Sequence, residues 1–226
     1  MPLILHIDTA LQTACVSIAQ NGTVLSELTN TDQKDHGSFL QPAIKDILQK
    51  NDLQLQDLDA VAVIEGPGSY TGLRVGMAAA KGLCFALNKP LITINSLEAL
   101  AATAIDEYHP DESILICPMI DARRMEVYTA IYTNALHIIK QPSALILEED
   151  VFKETTISKK MIFIGSGVKK WEKIYKKNDA VGFYDIAIKS APFSNLSLKK
   201  YVINRFADLA YAEPLYLKDF FMAASV

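Results

Sequence analysis

Leu3-Ile4-Leu5-His6-Ile7-Asp8-Thr9-Ala10, followed by Thr13-Ala14-Cys15-Val16-Ser17-Ile18-Ala19, Asn21-Gly22 and Thr23-Val24-Leu25-Ser26-Glu27-Leu28, is the stretch on which the fold turns. Residues 3–7 read as a strand, 8–12 as a turn and 13–19 as a second strand. Asn21-Gly22 is a two-residue hairpin signal, because both residue types tolerate the positive φ of a tight turn between twisted strands. Residues 23–28 then form a third strand, so the chain opens with a β-meander.

Outward from the meander, Phe39, Leu40, Ala43, Ile44, Ile47 and Leu48 recur at helical spacing, with Lys45, Asp46, Gln49 and Lys50 on the other face. Pro42 predicts that this helix starts late or bends. Residues 60–64 are a short apolar run, expected as a buried strand. It leads through Gly66-Pro67-Gly68-Ser69-Tyr70-Thr71-Gly72 into a long helix ending near Leu87. Residues 91–94 are another buried strand, and Ser96 is expected to cap a helix reaching about Tyr108. After His109-Pro110-Asp111, residues 114–120 and 125–132 form a hairpin around Asp121-Ala122-Arg123-Arg124. A strand near 135–139, a strand at 161–164 ending in Gly165-Ser166-Gly167, and helices at about 168–177 and 196–212 complete the pattern. Both halves open with strands and close with helices. This predicts an α/β protein of two domains, 1–105 and 106–226, with the last helix placed to return to the first.

At 226 residues, 50% hydrophobic and 21% charged, the composition is that of a globular chain and excludes disordered, collagen-like and disulfide-stapled classes. Arg74, Lys81 and Glu98 interrupt the best apolar windows, so no membrane span is expected. The N-terminus reaches His6 and Asp8 too early for a signal peptide, and a cytoplasmic protein is expected. Cys15, Cys84 and Cys117 form no C-x-x-C pair and read as buried thiols in a reducing compartment. The net charge is −4. Residues 1–105 carry 6 Lys/Arg against 10 Asp/Glu, and the remainder carries 16 of each. The clusters Lys159-Lys160, Lys169-Lys170, Lys173, Lys176-Lys177 and Lys199-Lys200 read as solvated helix faces without the basic excess of a nucleic-acid surface. The isolated chain is expected to bind RNA weakly.

The turn at 66–72 presents backbone N–H groups that can hold an anion. It lacks the Gly-Lys-Ser/Thr ending of a phosphate loop and the G-x-G-x-x-G spacing of a dinucleotide site. Gly68, Gly72, Gly76 and Ala80 recur every four residues and form one small-residue stripe on the helix. Each glycine costs about 1 kcal/mol relative to alanine there, and close helix packing is the expected compensation. Leu73, Val75, Met77, Ala78, Ala79, Leu83, Cys84, Phe85 and Leu87 make the helix apolar all round, so both faces must be covered. The outer cover is another helix, of this chain or of another subunit.

Catalytic equipment is sparse. His6, His36, His109 and His137 form no i, i+4 pair and have no metal-ligand spacing. There is no G-x-S-x-G elbow around Ser166. Asp121 and Glu126 flank a hairpin that reads either as a salt-bridged turn or as a cleft wall. Asp8 could hold a cation-bound water in a nucleotide site, although Asp8-Thr9-Ala10 lacks the usual glycine. Asp8, Thr9, Asp121, Arg123, Gly165 and Gly167 are thus the candidate nucleotide or cleft residues.

The meander with its Asp-Thr turn is similar to the opening unit of actin-like phosphotransfer domains. The whole chain resembles the TsaB (YeaZ) family. The resemblance rests on residues 5–10, 36–48 and 66–76, on Ile120-Asp121-Ala122-Arg123-Arg124-Met125-Glu126-Val127-Tyr128, on Ile164-Gly165-Ser166-Gly167 and on Glu213-Pro214-Leu215-Tyr216-Leu217. It thins in the lysine-rich lobe after Gly167. It implies a two-lobed actin-like (ribonuclease H-like) α/β fold, each lobe a mixed sheet flanked by helices. It also implies a non-catalytic subunit of the machinery that places N6-threonylcarbamoyladenosine at tRNA position 37. In the catalytic paralogue TsaD, the resemblance implies, an Asn-His-x-x-x-His helix binds metal; the matching positions here are Ser96 and Leu100, neither of which supplies the imidazole nitrogen that the metal needs. The family packs two N-terminal helices against the same pair of TsaD, or of a second copy in a homodimer. The implied interface is Leu40, Ala43, Ile44 and Ile47 with Gly68, Gly72, Val75, Gly76, Ala79, Ala80 and Leu83. A TsaE-like ATPase joins the pair, tRNA is met only through the complex, no cofactor is required, and ATP or ADP is a candidate at the interface. An actin-like kinase or nucleotidase acting alone through Asp8, Thr9 and 165–167 is the alternative. A peptidase is disfavoured by the missing ligands.

Overall fold

In the computed structural model, residues 1–32, 35–153, 155, 159–175 and 181–218 are described. Two mixed five-stranded sheets, each flanked by helices, make up the protein, as the two-lobed α/β expectation requires. The first is ordered β3-β2-β1-β4-β5, from β1 (Leu3–Asp8), β2 (Ala14–Gln20), β3 (Thr23–Asn30), β4 (Ala60–Gly66) and β5 (Leu91–Asn95). β1 and β2 pair antiparallel with Ile7 opposite Val16, whereas β4 and β5 run parallel to β1. The parallel strands are continuous apolar runs because both of their faces are covered. The second sheet is ordered β10-β9-β6-β7-β8, from β6 (Leu115–Asp121), β7 (Glu126–Tyr132), β8 (Ile138–Ile146), β9 (Met161–Ile164) and β10 (Val181–Tyr184).

The helices are α1 (His36–Lys50), α2 (Tyr70–Leu87), α3 (Ser96–Tyr108), α4 (Val168–Ile174) and α5 (Ser190–Val202), with a short 3₁₀ turn at Leu55–Asp57. Helices α1 and α2 cover one face of the first sheet. Leu40, Ala43, Ile44, Ile47, Met77, Ala80 and Cys84 join Leu5, Ile7, Val16 and Val63 there in one core. Helix α3 lies between the sheets: Leu97, Leu100, Ala101 and Ala104 pack with Ile116, Ile120, Ala130, Tyr132 and Ile164 of the second. Helix α5 lies against β1, β2, β3 and β5, and its Phe193 and Leu196 join Ile4, Ala62 and Ile94.

Several boundaries differ from the expectations. Helix α1 begins at His36, well ahead of Pro42, which sits inside it. The cap of α3 is Asn95, whose Oδ1 accepts from Leu97 N at 2.9 Å; Ser96 is already helical and its hydroxyl donates to the Pro67 carbonyl. The strand expected at 135–139 is β8, which starts at Ile138 and runs on through Pro142. It is an edge strand, where a missing N–H is tolerated. The last helix spans 190–202 and not 196–212, and Asn204 at φ 52° follows it. β10 was not expected, and α4 stops at Ile174; Lys176 and Lys177 lie outside the described residues. No described helix is long and apolar enough to cross a membrane.

Candidate functional site: the two faces of the glycine helix

The turn after β1 is built on the start of α2. Asp8 Oδ1 accepts from Ala10 N at 2.9 Å, and Thr9 Oγ1 donates to the Gly72 carbonyl at 2.7 Å. Ser69 N–H donates to the Ala10 carbonyl at 2.7 Å, and Ser69 Oγ caps the helix at Gly72 N. A Cβ on Gly68, Gly72 or Gly76 would fall well inside 3.0 Å of Ala10 O, Thr9 O and Thr9 Oγ1 respectively. These three positions are glycine because this chain's own Thr9-Ala10 turn occupies the space.

The stripe faces this chain's own first lobe. Gly72, Gly76 and Ala80 are buried against the first lobe, and Leu40, Ala43, Ile44 and Ile47 lie in its core. All seven are buried within this chain, with Ile44 at the floor of a surface cavity. Of the expected interface, Val75, Ala79 and Leu83 are half-buried at its edge, as is Gly68. The outer face is a second small-residue row that the spacing also contains: Ala78, Gly82 and Ala86 are all exposed. Phe85 beside them is 82% exposed. Nothing stands within 4 Å of where a Gly82 Cβ would point. Beside this row a shallow cavity of about 240 Å³ runs toward α1, lined by Gln41, Ile44, Lys45, Leu48, Leu53 and Leu83 among others.

Backbone N–H groups around the candidate nucleotide residues are engaged within the chain. The N–H groups of Ala10, Arg123, Gly165 and Gly167 donate to Asp8 Oδ1, Asp121 Oδ1, the Tyr184 carbonyl and the Met119 carbonyl. Asp121 N–H donates to Ser166 Oγ. Gly165 is glycine for its φ of 98°, and a Cβ on Gly167 would meet Val127 at 2.7 Å. Asp121 pairs with Lys170 at 2.7 Å, and Glu126 pairs with Lys218. With Lys169 paired to Asp185 at 2.5 Å, part of the lysine-rich surface is neutralised within the chain. Asp8 is buried, which raises its carboxyl to about 6.

Ser96 and Leu100 are fully buried, and the described residues contain no group of three His, Cys, Asp or Glu side chains able to hold a metal ion. His6 is buried edge-on to Phe193 with Nε2 2.7 Å from Ser197 Oγ, and burial lowers its pKa to about 3. His36 Nε2 lies 3.2 Å from the Gln12 carbonyl. Burial also raises the three thiols, to about 12 at Cys15 and Cys117 and about 11 at Cys84.

Sequence reasoning missed a strap over residues 204–218. Ala207 N–H donates to the Leu91 carbonyl at 2.8 Å and Leu215 N–H to the Glu65 carbonyl at 2.7 Å. Lys81 Nζ donates to the Ala212 and Ala210 carbonyls at 2.8 and 3.3 Å.

A family model described as TsaD, tRNA N6-adenosine threonylcarbamoyltransferase, matches residues 23–216. The tRNA threonylcarbamoyladenosine biosynthesis protein TsaB of Bacillus subtilis is 38% identical over 138 residues, 61% of this chain and 58% of that protein. The protein of the same name in Escherichia coli is 28% identical over 222 residues, 96% of this chain and 94% of that protein. The match to the Haemophilus influenzae TsaB, at 39% identity, spans 55% of this chain and 51% of that relative's length. The solved structure of YeaZ from Pseudomonas aeruginosa superposes with a TM-score of 0.79 at 23% identity, covering 96% of this chain and all of that one. Another solved structure, of a protein with similarity to peptidase YEAZ from the same organism, reaches 0.85 at 23% identity with the same coverage. At that identity the likeness speaks for the fold.

Proposed function

This chain belongs to the TsaD family and stands with its TsaB (YeaZ) members, and from that premise we propose that it is the non-catalytic scaffold subunit of a tRNA N6-threonylcarbamoyladenosine complex. It docks a TsaD-type catalytic subunit through the outer face of α2. The observation that carries this reading is the uncovered row Ala78, Gly82 and Ala86 with Phe85 beside it. Small residues let a partner helix approach closely, and an exposed aromatic at such a face is a typical anchor. The binding energy goes into assembly; the chemistry belongs to the partner, because Ser96 and Leu100 stand where the paralogue family carries its histidine ligands. A TsaE-like ATPase and the tRNA meet this subunit through the complex, with ATP or ADP at the shared interface as a further part of the proposal. The same face closes a homodimer when the partner is absent. A cytoplasmic location goes with this role.

The test is co-purification with the TsaD-type protein of the same organism, with masses measured in solution. Gly82→Arg fills the row without touching the core and is expected to abolish the complex at micromolar concentration while the melting temperature holds. A complex that forms normally with Gly82→Arg places docking elsewhere.

The kinase reading predicts Mg·ATP turnover lost in Asp8→Ala. It is disfavoured by the intramolecular engagement of the N–H groups at 10, 121, 123, 165 and 167. Turnover by the purified wild-type chain that disappears in the variant would reinstate it.

A further inference from the structure

We infer that Arg74 is the charged anchor of the outer α2 face and receives a carboxylate of the protein that docks there; this rests on the docking reading above. Arg74 Nε donates to Tyr216 Oη at 3.1 Å, and the guanidinium carbon stands 4.0 Å from the centroid of the Tyr70 ring. The two rings lie 5.2 Å apart. Tyr70 opens α2 while Tyr216 sits on the strap, so the strap supplies one wall of the splint. Arg74, Ala78, Gly82 and Ala86 form a single i, i+4 row, which makes the guanidinium continuous with the proposed docking surface.

Among the described residues no carboxylate pairs with Arg74. Its Nε is spent on Tyr216, and the terminal NH₂ groups keep their donors in the planar fork that fits a carboxylate. Lys81, the other cation of α2, is committed to the strap carbonyls. Arg74 is also the one arginine among residues 1–105, a segment with four more acids than bases. That field opposes a polyanion such as RNA, whereas one carboxylate at an otherwise apolar face is matched by one arginine. A side chain already held by two rings loses little freedom on docking. This is how an exposed arginine becomes worth more than an ordinary surface charge.

The test titrates the same organism's TsaD-type protein with wild type, Arg74→Gln, Arg74→Lys, Tyr216→Phe and Gly82→Arg, each at low and high salt, with melting temperatures in parallel. Arg74→Gln is expected to weaken association about tenfold and to remove most of its salt dependence. Arg74→Lys keeps the salt dependence but recovers only part of the affinity, because the fork is lost. Tyr216→Phe removes the acceptor for Nε and costs about threefold. Wild-type affinity and salt response in Arg74→Gln, with Gly82→Arg unable to bind, overturn the anchor and leave the docking reading standing. Normal binding by Gly82→Arg, or no binding by wild type, overturns both.

Discussion

Gly76 and Thr9 contend for one space: a Cβ on Gly76 would fall well inside 3.0 Å of Thr9 Oγ1, which is itself held by the Gly72 carbonyl. The turn between β1 and β2 is thereby locked to the first half of α2. Helix α2 has one glycine row that its own chain fills and another that its own chain leaves open.

The two rows predict opposite outcomes for the same substitution. Gly76→Ala forces the Thr9 turn outward and is expected to cost about 2 kcal/mol, as overpacking does. That corresponds to a fall of roughly 5 °C in melting temperature for a chain of this size. Gly82→Ala meets nothing within 4 Å and gains up to about 1 kcal/mol of helix propensity. Thermal unfolding of both variants decides; equal effects would mean that the rows are not oriented as described.

Lys81 ties the strap to α2 by two hydrogen bonds, beside the packing of Ala207, Leu209 and Ala212 on the first core. Lys81→Met keeps the stem and removes the donors to the Ala210 and Ala212 carbonyls. Faster amide exchange is expected at Ala207 and Leu215, with global melting unchanged within about 2 °C, because the strap opens as a local unit. Unaltered exchange at those amides would show that the ammonium is not what holds it.

Much of the fold was legible because its signals are local. The meander reads from alternation and Asn21-Gly22, and β4 and β5 read from unbroken apolar runs that a buried parallel strand requires. The phase of α2 was not legible. A helix apolar all round carries no direction, and its two four-residue rows are interchangeable until the position of Thr9 and Ala10 is known. The strap was not legible either, since it is held by hydrogen bonds to Leu91 and Glu65, more than a hundred residues away. The residues with the strongest helical periodicity, Leu40, Ile44 and Ile47, are the core, and the exposed row Ala78, Gly82 and Ala86 is made of residues a periodicity search passes over.

Asn95 takes the capping role expected of Ser96, whose hydroxyl serves the Pro67 carbonyl instead, and this is measurable. Asn95→Ala removes the cap from Leu97 N and is expected to cost about 1 kcal/mol. Ser96→Ala strands the buried Pro67 carbonyl and is expected to cost about 1–3 kcal/mol. Denaturant unfolding of the two variants tests this. A neutral Ser96→Ala would mean that the Pro67 carbonyl has another partner.

Asp8 and His6 set opposing pH dependences in the same strand. Burial raises the Asp8 carboxyl from 3.8 to about 6, so between those values the folded chain binds a proton that the unfolded chain does not. Its contribution therefore declines as pH rises from about 4 to about 6, and the full penalty, about 3 kcal/mol at most, applies above that. Burial lowers His6 from 6.5 to about 3, so there the unfolded chain binds the extra proton and stability declines as pH falls through that window. The two largely offset each other between pH 4 and 6 in wild type. Asp8→Asn keeps an acceptor for Ala10 N and leaves the His6 dependence alone. The variant is expected to be more stable than wild type above about pH 6, to lose stability more steeply on acidification, and to converge with wild type near pH 4. Urea unfolding across pH 4–8 checks this, and a constant offset at every pH would show that the buried carboxyl does not titrate as its burial requires.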